Sequence, residues 1–530
     1  MYPCVTKSEK VTVSEQLFGM SDGVRLYTRI VTPNGSGKFP IVFIRTPYEK
    51  VHGGVAHDIA EYDSNPFIDS GYAIVLQHCR GRGDSEGVCL PYDERNDGLD
   101  SLAIIRKLDI YNGEIYLYGG SYLSTVHLSY LDSAPEDVKG AVLNIQTDRM
   151  YFRNYRNGCC YNFCNLNWWL GMLNRAYPHQ KLDGAIQRPY VDIMKRVIGT
   201  DYAPYTDLLL NDKYNAFWEN DPRTYVIDNL KIPVLFTEGW YDFYIDGMFN
   251  MWERLPSETK ARSAFIVGPW GHATSVSEQA EYPLKNGNIP ADYVVEWFNS
   301  IRGGKPYPYA RKGQVNYYSI GKDAWQTSFY PAALPAKRFY FAEEGRLSAT
   351  PCKTEAQICY RYDPETPVTC YSYRNIYKAV EIGKTEGVTS FLSEEFDEDI
   401  SFFGKVRWRM DVSSDCEDTA FFMRVYFEEE GVAYNLTETI TSLSHIKENY
   451  QAGEKMTVDI VTPPIAFTVK RGGRIRVDVS SNGGIYVPHG NVKGHWATIT
   501  ETRVANNTLY LQNAFVELYT KQQDRVAAHG

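Results

Sequence analysis

The amino-acid sequence predicts an α/β domain that is interrupted by a helix-rich insertion and followed by a β-sandwich or jelly roll. From residue 40 to about 270, short runs rich in Val and Ile alternate with helix-like segments, as in a mostly parallel sheet. This alternation breaks between residues 146 and 230, where aromatic residues are dense. From about residue 312 apolar residues recur at every second position, which is typical of antiparallel strands.

Six apolar runs are predicted to be the strands of the first sheet. They are PIVFIR at 40, YAIVLQ at 72, EIYLY at 114, GAVLNI at 140, PVLFT at 233 and AFIVG at 264. Because each run is apolar along its length, we expect both faces of the sheet to be covered. The segments NDGLDSLAIIRKL at 96 and DYVVEWFNSI at 292 have helical spacing and are predicted to be flanking helices. In the C-terminal part, Trp408, Met410 and Val412 alternate with polar residues, as do Ile475, Val477 and Val479.

The composition excludes several classes of function. The 530 residues include 55 Lys and Arg against 65 Asp and Glu, with no basic run that could follow a phosphate backbone, so nucleic acid is not an expected partner. We find no secretory leader and no apolar stretch of membrane-spanning length, which predicts a cytoplasmic protein that does not bind membranes. The ten cysteines lack paired spacing and are expected to be reduced thiols. No metal motif is present, so no cofactor is expected, and a homo-oligomer is compatible with the sequence.

The stretch EIYLY-GGS-YLSTVHLSYL has the order strand, tight turn and helix, which is the context of a nucleophile elbow centred on Ser121. Gly119 and Gly120 supply the small neighbours that such a turn requires. A glycine-rich turn of this kind also serves phosphate binding or plain packing. The turn alone therefore leaves the role of Ser121 open.

Two further residues follow predicted strands directly. Asp242 comes after PVLFT and His272 after AFIVG, so both are expected at the same sheet edge as Ser121. Taken singly, Asp242 could cap a helix and His272 could pack in a loop. The chain order Ser, Asp, His is that of the α/β-hydrolases, and it favours a catalytic triad.

Five motifs in order resemble the family of cocaine esterase, the α-amino acid ester hydrolases and the X-prolyl dipeptidyl peptidases. They are RTPYEK at 45, CRGRGDSEG at 79, GGSYLS at 119, GWYDFY at 239 and GPWGH at 268, and the chain departs from the family elbow in having Ser124 in place of Gly. The resemblance implies an α/β-hydrolase domain over residues 1–145 and 231–311. It further implies a helical cap over residues 146–230 and a C-terminal jelly roll over residues 312–530.

The resemblance also implies roles for particular residues. Ser121 would carry the acyl group, His272 would move the proton and Asp242 would orient the imidazole. The N–H of Tyr122, the residue after the nucleophile, is the standard first donor to the oxyanion. The hydroxyl of Tyr48 in RTPY is implied as the second donor, and the alternative is a turn tyrosine packed behind Pro47.

Aromatic residues are predicted to bind the substrate. Those residues are Trp168, Trp169, Tyr151, Tyr155 and Tyr244. Tyr244 and Ile245 stand where the α-amino acid ester hydrolases carry carboxylates for the substrate ammonium. Other acids, namely Asp246, Asp148 and Asp183, leave open an ammonium site that is assembled differently.

The leading hypothesis is an esterase or amidase for small molecules with an apolar or aromatic acyl group, acting through an acyl-enzyme. The second hypothesis is a dipeptidyl or aminoacyl peptidase of the X-prolyl dipeptidyl peptidase type, with a short peptide as substrate. A hypothesis from another class is a non-catalytic carbohydrate-binding protein that uses the jelly roll. Intact Ser121, Asp242 and His272 argue against the last hypothesis.

Overall fold

Two large sheets form the framework of the protein. The computed structural model describes residues 4–48, 59–177, 182, 184–368 and 375–521. The first sheet has eleven strands, the second has twelve, and a two-stranded ribbon lies in the insertion of residues 146–230. Within these described ranges, no helix is both long and apolar enough to cross a bilayer.

The first sheet is mainly parallel. The strands up to residue 328 are β1 (Cys4–Lys7), β2 (Val11–Gly19), β3 (Arg25–Pro33), β4 (Phe39–Thr46), β5 (Ala73–His78), β6 (Tyr111–Gly120), β7 (Val138–Asn144), β8 (Tyr155–Arg156), β9 (Cys159–Cys160), β10 (Val234–Gly239), β11 (Ala264–Gly268), β12 (Val315–Ser319) and β13 (Ala324–Ser328). Strands β8 and β9 form the ribbon, and the others are ordered β1-β2-β3-β5-β4-β6-β7-β10-β11-β12-β13. Neighbours from β5 to β12 in this order are parallel. The six predicted strands are thus confirmed as β4 to β7, β10 and β11.

Helices cover the first sheet and make up much of the insertion. The helices are α1 (Ile59–Tyr62), α2 (Pro66–Asp69), α3 (Arg95–Ile105), α4 (Tyr122–Leu128), α5 (Met150–Asn154), α6 (Asn162–Leu173), α7 (Ile193–Ile198), α8 (Ala203–Leu210), α9 (Ala216–Glu219), α10 (Ile245–Arg254), α11 (Ser257–Arg262), α12 (Tyr293–Arg302) and α13 (Leu443–Ile446). Short 3₁₀ turns cover Leu131–Ser133, Tyr190–Asp192, Val226–Asn229 and Glu343–Gly345. Helices α3 and α12 confirm the two predicted flanking helices. Helices α5 to α9 lie between β7 and β10, which are neighbours in the sheet.

The central strands are buried on both faces, as their continuous apolar sequences predict. In β4, Ile41 and Phe43 pack in the core that contains Leu102 of α3, whereas Val42 and Ile44 pack in the core that contains α12. Each of these four side chains is at most 1% exposed. Burying a side chain of this size contributes about 1.5 to 3 kcal/mol relative to leaving it in water. The sheet is therefore a rigid base for the loops at its edge.

The second sheet forms the C-terminal part of the chain. Its strands are β14 (Ala336–Ala342), β15 (Arg346–Ser348), β16 (Gln357–Tyr362), β17 (Thr389–Ser393), β18 (Ile400–Gly404), β19 (Arg407–Ser414), β20 (Ala420–Glu429), β21 (Val432–Ser442), β22 (Met456–Val461), β23 (Ile465–Val469), β24 (Arg474–Ser480) and β25 (Ala505–Lys521). The long strand β25 pairs with β14, β16, β18 and β19. Strands β12 and β13, although they follow the predicted boundary at residue 312, still belong to the first sheet.

The insertion is bonded through backbone groups to the loop between β24 and β25. The N–H of Asn162 donates to the Ile485 carbonyl (3.0 Å), and the N–H of Val487 donates to the Cys160 carbonyl (3.0 Å). The N–H of Val191 donates to the Ala497 carbonyl at 2.9 Å. The C-terminal part of the chain therefore holds the insertion through this loop.

Candidate active site

Ser121 lies in the sharp turn between β6 and α4. Its backbone has φ 55° and ψ −125°, a conformation that non-glycine residues rarely adopt and that costs roughly 1 to 3 kcal/mol. The Ser121 N–H donates to the Asn144 carbonyl (3.0 Å), and its own carbonyl accepts the N–H groups of Ser124 and Thr125. These bonds hold the turn in its strained shape and present the hydroxyl at the end of the strand.

The residues around this turn explain its sequence. A Cβ on Gly119 would lie 2.3 Å from the carbonyl group of Leu123, so no larger residue fits there while the helix starts where it does. Ser124, the departure from the family elbow, is buried, and its hydroxyl donates to the Gly119 carbonyl at 2.8 Å. The extra hydroxyl is satisfied without a change in the turn.

Backbone hydrogen bonds join the loops after β10 and β11, and this brings Asp242 and His272 to the same edge of the first sheet. The Trp240 N–H donates to the Gly268 carbonyl and the Tyr241 N–H donates to the Trp270 carbonyl, each at 2.9 Å. These strands end beside β6 and β7 in a parallel sheet, so their following loops meet at the turn that holds Ser121.

A continuous chain of hydrogen bonds joins the three residues. His272 Nε2 lies 2.8 Å from Ser121 Oγ, and His272 Nδ1 lies 2.7 Å from Asp242 Oδ2. The other carboxylate oxygen, Asp242 Oδ1, accepts the Tyr244 N–H at 3.0 Å. The Asp242 carboxylate is fully buried, whereas 21% of the His272 side chain is exposed. The arrangement can carry a proton from the Ser121 hydroxyl to an oriented imidazole.

Two neighbouring residues, Glu238 and Phe243, affect the charge around the hydrogen-bonded chain and the orientation of its imidazole. Burial, together with the nearby negative charge of Asp242, raises the pKa of Glu238 well above its usual range. This shift favours the neutral form of the Glu238 carboxyl beside Asp242. The Phe243 ring stacks on the imidazole of His272 with 4.8 Å between ring centroids, which limits how the imidazole can turn.

Tyr48 and Tyr122, the two residues expected from the sequence to donate to an oxyanion, line one cavity together with Ser121. Tyr122 is the first residue of α4, so its N–H has no acceptor within the helix. The Tyr48 hydroxyl lies on the wall of the same cavity and accepts a hydrogen bond from Trp168 Nε1 at 3.2 Å. Burial raises the pKa of Tyr48, so its phenol stays protonated at neutral pH. Arg82 Nε donates to the Pro47 carbonyl (2.7 Å) and so fixes the segment that carries Tyr48.

The hydroxyl of Ser121 opens into a cavity of about 220 Å³. A cavity of this volume suits a small substrate group. The wall is largely aromatic. The cavity is lined by Tyr48, Tyr92, Ser121, Tyr122, Arg153, Asn165, Trp168, Phe243, Tyr244 and His272.

The structure separates the predicted substrate-binding residues into two groups. Trp168 and Tyr244 line the cavity. Trp169 is 2% exposed and faces a neighbouring cavity of about 420 Å³ across Tyr92. Tyr151 and Tyr155 stack on each other in the core of the insertion, with ring centroids 5.7 Å apart, and do not line the site.

Two polar residues of the cavity, Arg153 and Asn165, were not anticipated from the sequence. Arg153 stands in MYFRNYRNG, where the presence of charged residues among aromatic ones is the only signal that could have drawn attention to it. Asn165 follows the cluster of cysteines in the insertion and carries no recognisable spacing. Of the acids considered for an ammonium site, Asp148 forms an ion pair with Arg254, and Asp246 pairs with Arg156 at 2.8 Å. Asp183 lies outside the described residues.

Two family models match the chain in succession. Residues 22–274 match the model described as X-Pro dipeptidyl-peptidase (S15 family), and residues 309–517 match the X-Pro dipeptidyl-peptidase C-terminal non-catalytic domain. The cocaine esterase of Rhodococcus sp. (strain MB1 Bresler) is 23% identical over 532 residues, covering 88% of this chain and 90% of that protein.

Solved structures with the same fold are more distant in sequence. An aminopeptidase from the marine sediment archaeon Thaumarchaeota archaeon aligns with a TM-score of 0.81 at 18% identity, covering 98% of both chains. An α-amino acid ester hydrolase aligns with a TM-score of 0.82 at 18% identity, also covering 98% of both chains. A CocE/NonD family hydrolase from Staphylococcus aureus has a TM-score of 0.68 at 17% identity and covers 98% of this chain and 96% of its own. The shared architecture is a catalytic domain followed by a C-terminal non-catalytic domain.

Proposed function

We propose that this chain, which belongs to the X-Pro dipeptidyl-peptidase (S15) family of serine hydrolases, cleaves esters or amides of small acyl substrates with Ser121 as the nucleophile. The resemblance inferred from the sequence motifs is confirmed by the two family models. The observation that carries the assignment of Ser121 is its hydrogen-bonded connection through His272 to the buried carboxylate of Asp242.

The geometry supports acyl transfer in two steps. His272 Nε2 accepts the proton of the Ser121 hydroxyl while Oγ attacks the substrate carbonyl, and the imidazolium then gives this proton to the leaving group. Asp242 Oδ2 accepts the Nδ1–H, which fixes the tautomer and stabilises the charged imidazole. Water, deprotonated by the same histidine, then attacks the acyl-enzyme and releases the acid.

We assign the oxyanion site to the Tyr122 N–H and the Tyr48 hydroxyl. Both groups lie on the cavity wall beside Ser121, and the protonated phenol can donate to a developing negative charge. The hydrogen bond from Trp168 to the Tyr48 oxygen supports this role, since it polarises the phenol and holds its ring in place.

We further infer an α/β-hydrolase fold for the first sheet, a helical cap for residues 146–230 and a jelly roll for the second sheet. The parallel order around β6, with the turn at Ser121 directly after it, supports the first assignment. The contribution of α5 and α6 to the cavity wall, through Arg153 and Trp168, supports the cap, and the mostly antiparallel strands around β25 support the jelly roll.

An esterase or amidase is favoured over a peptidase that binds a free amino terminus. None of the described residues that line the cavity carries a carboxylate, whereas Arg153 brings a positive charge. Asp148 and Asp246 are neutralised by arginines and are not available to an ammonium group. A peptidase activity of the X-prolyl type fits the same family and stays the second candidate.

A parallel panel of 4-nitrophenyl esters and aminoacyl-prolyl 4-nitroanilides tests the proposal. We expect wild-type turnover of esters, no detectable turnover by Ser121→Ala, and covalent labelling by a fluorophosphonate in the wild type alone. Ser129→Ala is the matched control, because its hydroxyl donates to the Thr125 carbonyl in the same helix and does not line the cavity. Labelling of the Ser121→Ala variant would show that another residue is the nucleophile.

A further inference from the structure

Arg153 is a buried cation on the wall of the candidate active site. It is 4% exposed and lines the cavity together with Ser121 and His272. Its nitrogens contact only neutral acceptors. The guanidinium donates from Nε to the Tyr244 hydroxyl (2.8 Å) and from Nη1 to Asn154 Oδ1 (2.8 Å) and the Cys164 carbonyl (3.4 Å).

Most buried arginines in proteins are paired with an acid, because an uncompensated charge in a low-dielectric interior is costly. Here Arg45 pairs with Glu94, and Arg223 pairs with Asp221. Arg82 has no carboxylate partner either, but its guanidinium donates to the backbone carbonyls of Pro47 and Met172, and Arg82 does not line the cavity. No carboxylate among the described residues forms an ion pair with Arg153, so its charge faces the cavity without a counter-ion.

A strained segment places an amide on the wall of the same cavity. Residues Asn162 to Asn165 have φ between 42° and 61°, in the left-handed region that costs roughly 1 to 2 kcal/mol per residue. Buried donors hold the turn in place, since Tyr205 donates to the Phe163 carbonyl (2.5 Å) and Arg153 donates to the Cys164 carbonyl. The turn ends with Asn165 on the cavity wall. The Asn165 amide forms no hydrogen bond within the part of the chain that the structure describes.

We propose that Arg153, assisted by Asn165, binds a carboxylate of the substrate. The inference rests on the proposed serine hydrolase function and narrows its substrate class to esters or amides that carry a carboxylate close to the scissile bond. A guanidinium and an amide together offer several N–H donors to one carboxylate. The planar guanidinium also matches the shape of a carboxylate, which makes arginine well suited to bind this group. The Arg153 nitrogens contact the Tyr244 hydroxyl, and the Tyr244 ring lies 5.6 Å from the His272 ring, so the anion would bind within a small substrate's length of the reacting carbonyl.

The carboxylate could belong to the acyl part or to the leaving group, and two pairs of esters distinguish these sources. In the first pair, 4-nitrophenyl hydrogen succinate is compared with 4-nitrophenyl butyrate. In the second pair, 4-acetoxybenzoate is compared with phenyl acetate. We expect wild-type kcat/KM to favour the anionic member of one pair by at least tenfold. Arg153→Met should lower that ratio on the order of 10²-fold, as when one partner of a buried charge pair is removed.

A second variant leaves Arg153 and its contacts in place. Asn165→Asp puts a carboxylate on the wall of the cavity that Arg153 lines. Its negative charge should offset that of the guanidinium and repel an anionic substrate, so the same ratio should fall by a similar factor. Wild-type ratios within threefold of unity for both pairs, or unchanged ratios in both variants, would overturn the assignment.

Calorimetric titration of Ser121→Ala with monoethyl succinate and with 4-acetoxybenzoate separates this inference from the proposed function. The first ligand carries its carboxylate in the acyl part and the second carries it in the leaving group. Binding by this variant that is lost on adding Arg153→Met supports the anion site even if no ester is hydrolysed. Absence of binding, combined with normal hydrolysis of the neutral esters, would refute the anion site and leave the hydrolase proposal standing.

Discussion

Replacing Asp242 with Asn tests whether the Asp242 carboxylate sets the tautomer of His272, because the substitution replaces one carboxylate oxygen with an NH₂ group. Asp242 Oδ1 accepts the Tyr244 N–H at 3.0 Å, and Oδ2 accepts the Nδ1–H of His272 at 2.7 Å. In the Asn variant the Tyr244 N–H still needs an acceptor, so the amide oxygen takes the Oδ1 position. The amide NH₂ then faces His272 Nδ1, which must become an acceptor. The imidazole hydrogen moves to Nε2, where it blocks proton transfer from Ser121.

The size of the effect follows from this change of tautomer. A histidine that carries its hydrogen on Nε2 cannot act as the base for Ser121, and the same change in a comparable triad lowers kcat about 10⁴-fold. This factor corresponds to about 5.4 kcal/mol of lost transition-state stabilisation. The fold should be affected little, because the amide fills the same buried volume and keeps the hydrogen bond to Tyr244.

Steady-state hydrolysis of a 4-nitrophenyl ester, with the melting temperature recorded alongside, measures the effect. The rate of fluorophosphonate labelling should fall in parallel with kcat, since both need a deprotonated Ser121 oxygen. Asp246→Asn is the matched control, because Asp246 lies in the following helix, pairs with Arg156 and does not line the cavity. A kcat for Asp242→Asn within tenfold of the wild type would refute the proposed role of Asp242.

Three further predictions concern the oxyanion site, the cavity wall and the stability at low pH. Tyr48→Phe should lower kcat on the order of 10²- to 10³-fold with little change in KM, and a kcat within threefold of the wild type would remove Tyr48 from the oxyanion site. Trp168→Ala should change the ranking of acyl groups by about 1 to 3 kcal/mol, whereas Trp169→Ala should mainly lower the melting temperature; equal effects on the ranking would contradict the placement of the two rings. Burial and, secondarily, the charge of Arg45 lower the pKa of His127 to about 3. Below the ordinary value of about 6.5 the unfolded chain binds a proton that the folded chain rejects, so His127 should cost about 1.4 kcal/mol of stability per pH unit as the pH falls towards 3. The free energy of unfolding, measured with denaturant between pH 4 and 6, should fall less steeply with decreasing pH in His127→Gln than in the wild type, by about that amount per pH unit. An unchanged pH dependence would argue against a neutral buried His127.

The first sheet could be predicted because its central strands are apolar along their whole length. Strands β1 to β3 were not anticipated, since they pair antiparallel at the edge and mix buried residues such as Val11 and Val13 with exposed ones. In β24 the predicted alternation holds for the apolar residues, but Arg476 and Asp478 between them are buried too. They can be buried because they pair with each other, with Arg476 Nε 2.8 Å from Asp478 Oδ1, and a sequence pattern does not reveal such a pair.

The convergence of Ser121, Asp242 and His272 could be expected because each follows a parallel strand, and such strands end at one edge. The substrate wall could not be expected in the same way. Trp168 and Trp169 are adjacent in sequence, yet only Trp168 reaches the cavity, since the orientation of α6 depends on packing against distant residues. Arg153 was not anticipated because what distinguishes it is that no described carboxylate pairs with it, and a sequence does not reveal which residues surround a side chain.

The backbone bonds between the insertion and the loop that joins β24 to β25 limit how the protein can be recombined with its relatives. A chain that ended after β13 would leave the N–H of Val191 and Asn162 without acceptors and would uncover the insertion beside the site. The catalytic part therefore cannot be transferred on its own. Exchanging C-terminal domains between homologues would remove bonds to the insertion and so disturb the wall of the cavity that the insertion forms. New specificity in this lineage is more accessible through single substitutions on the cavity wall than through shuffling of whole domains.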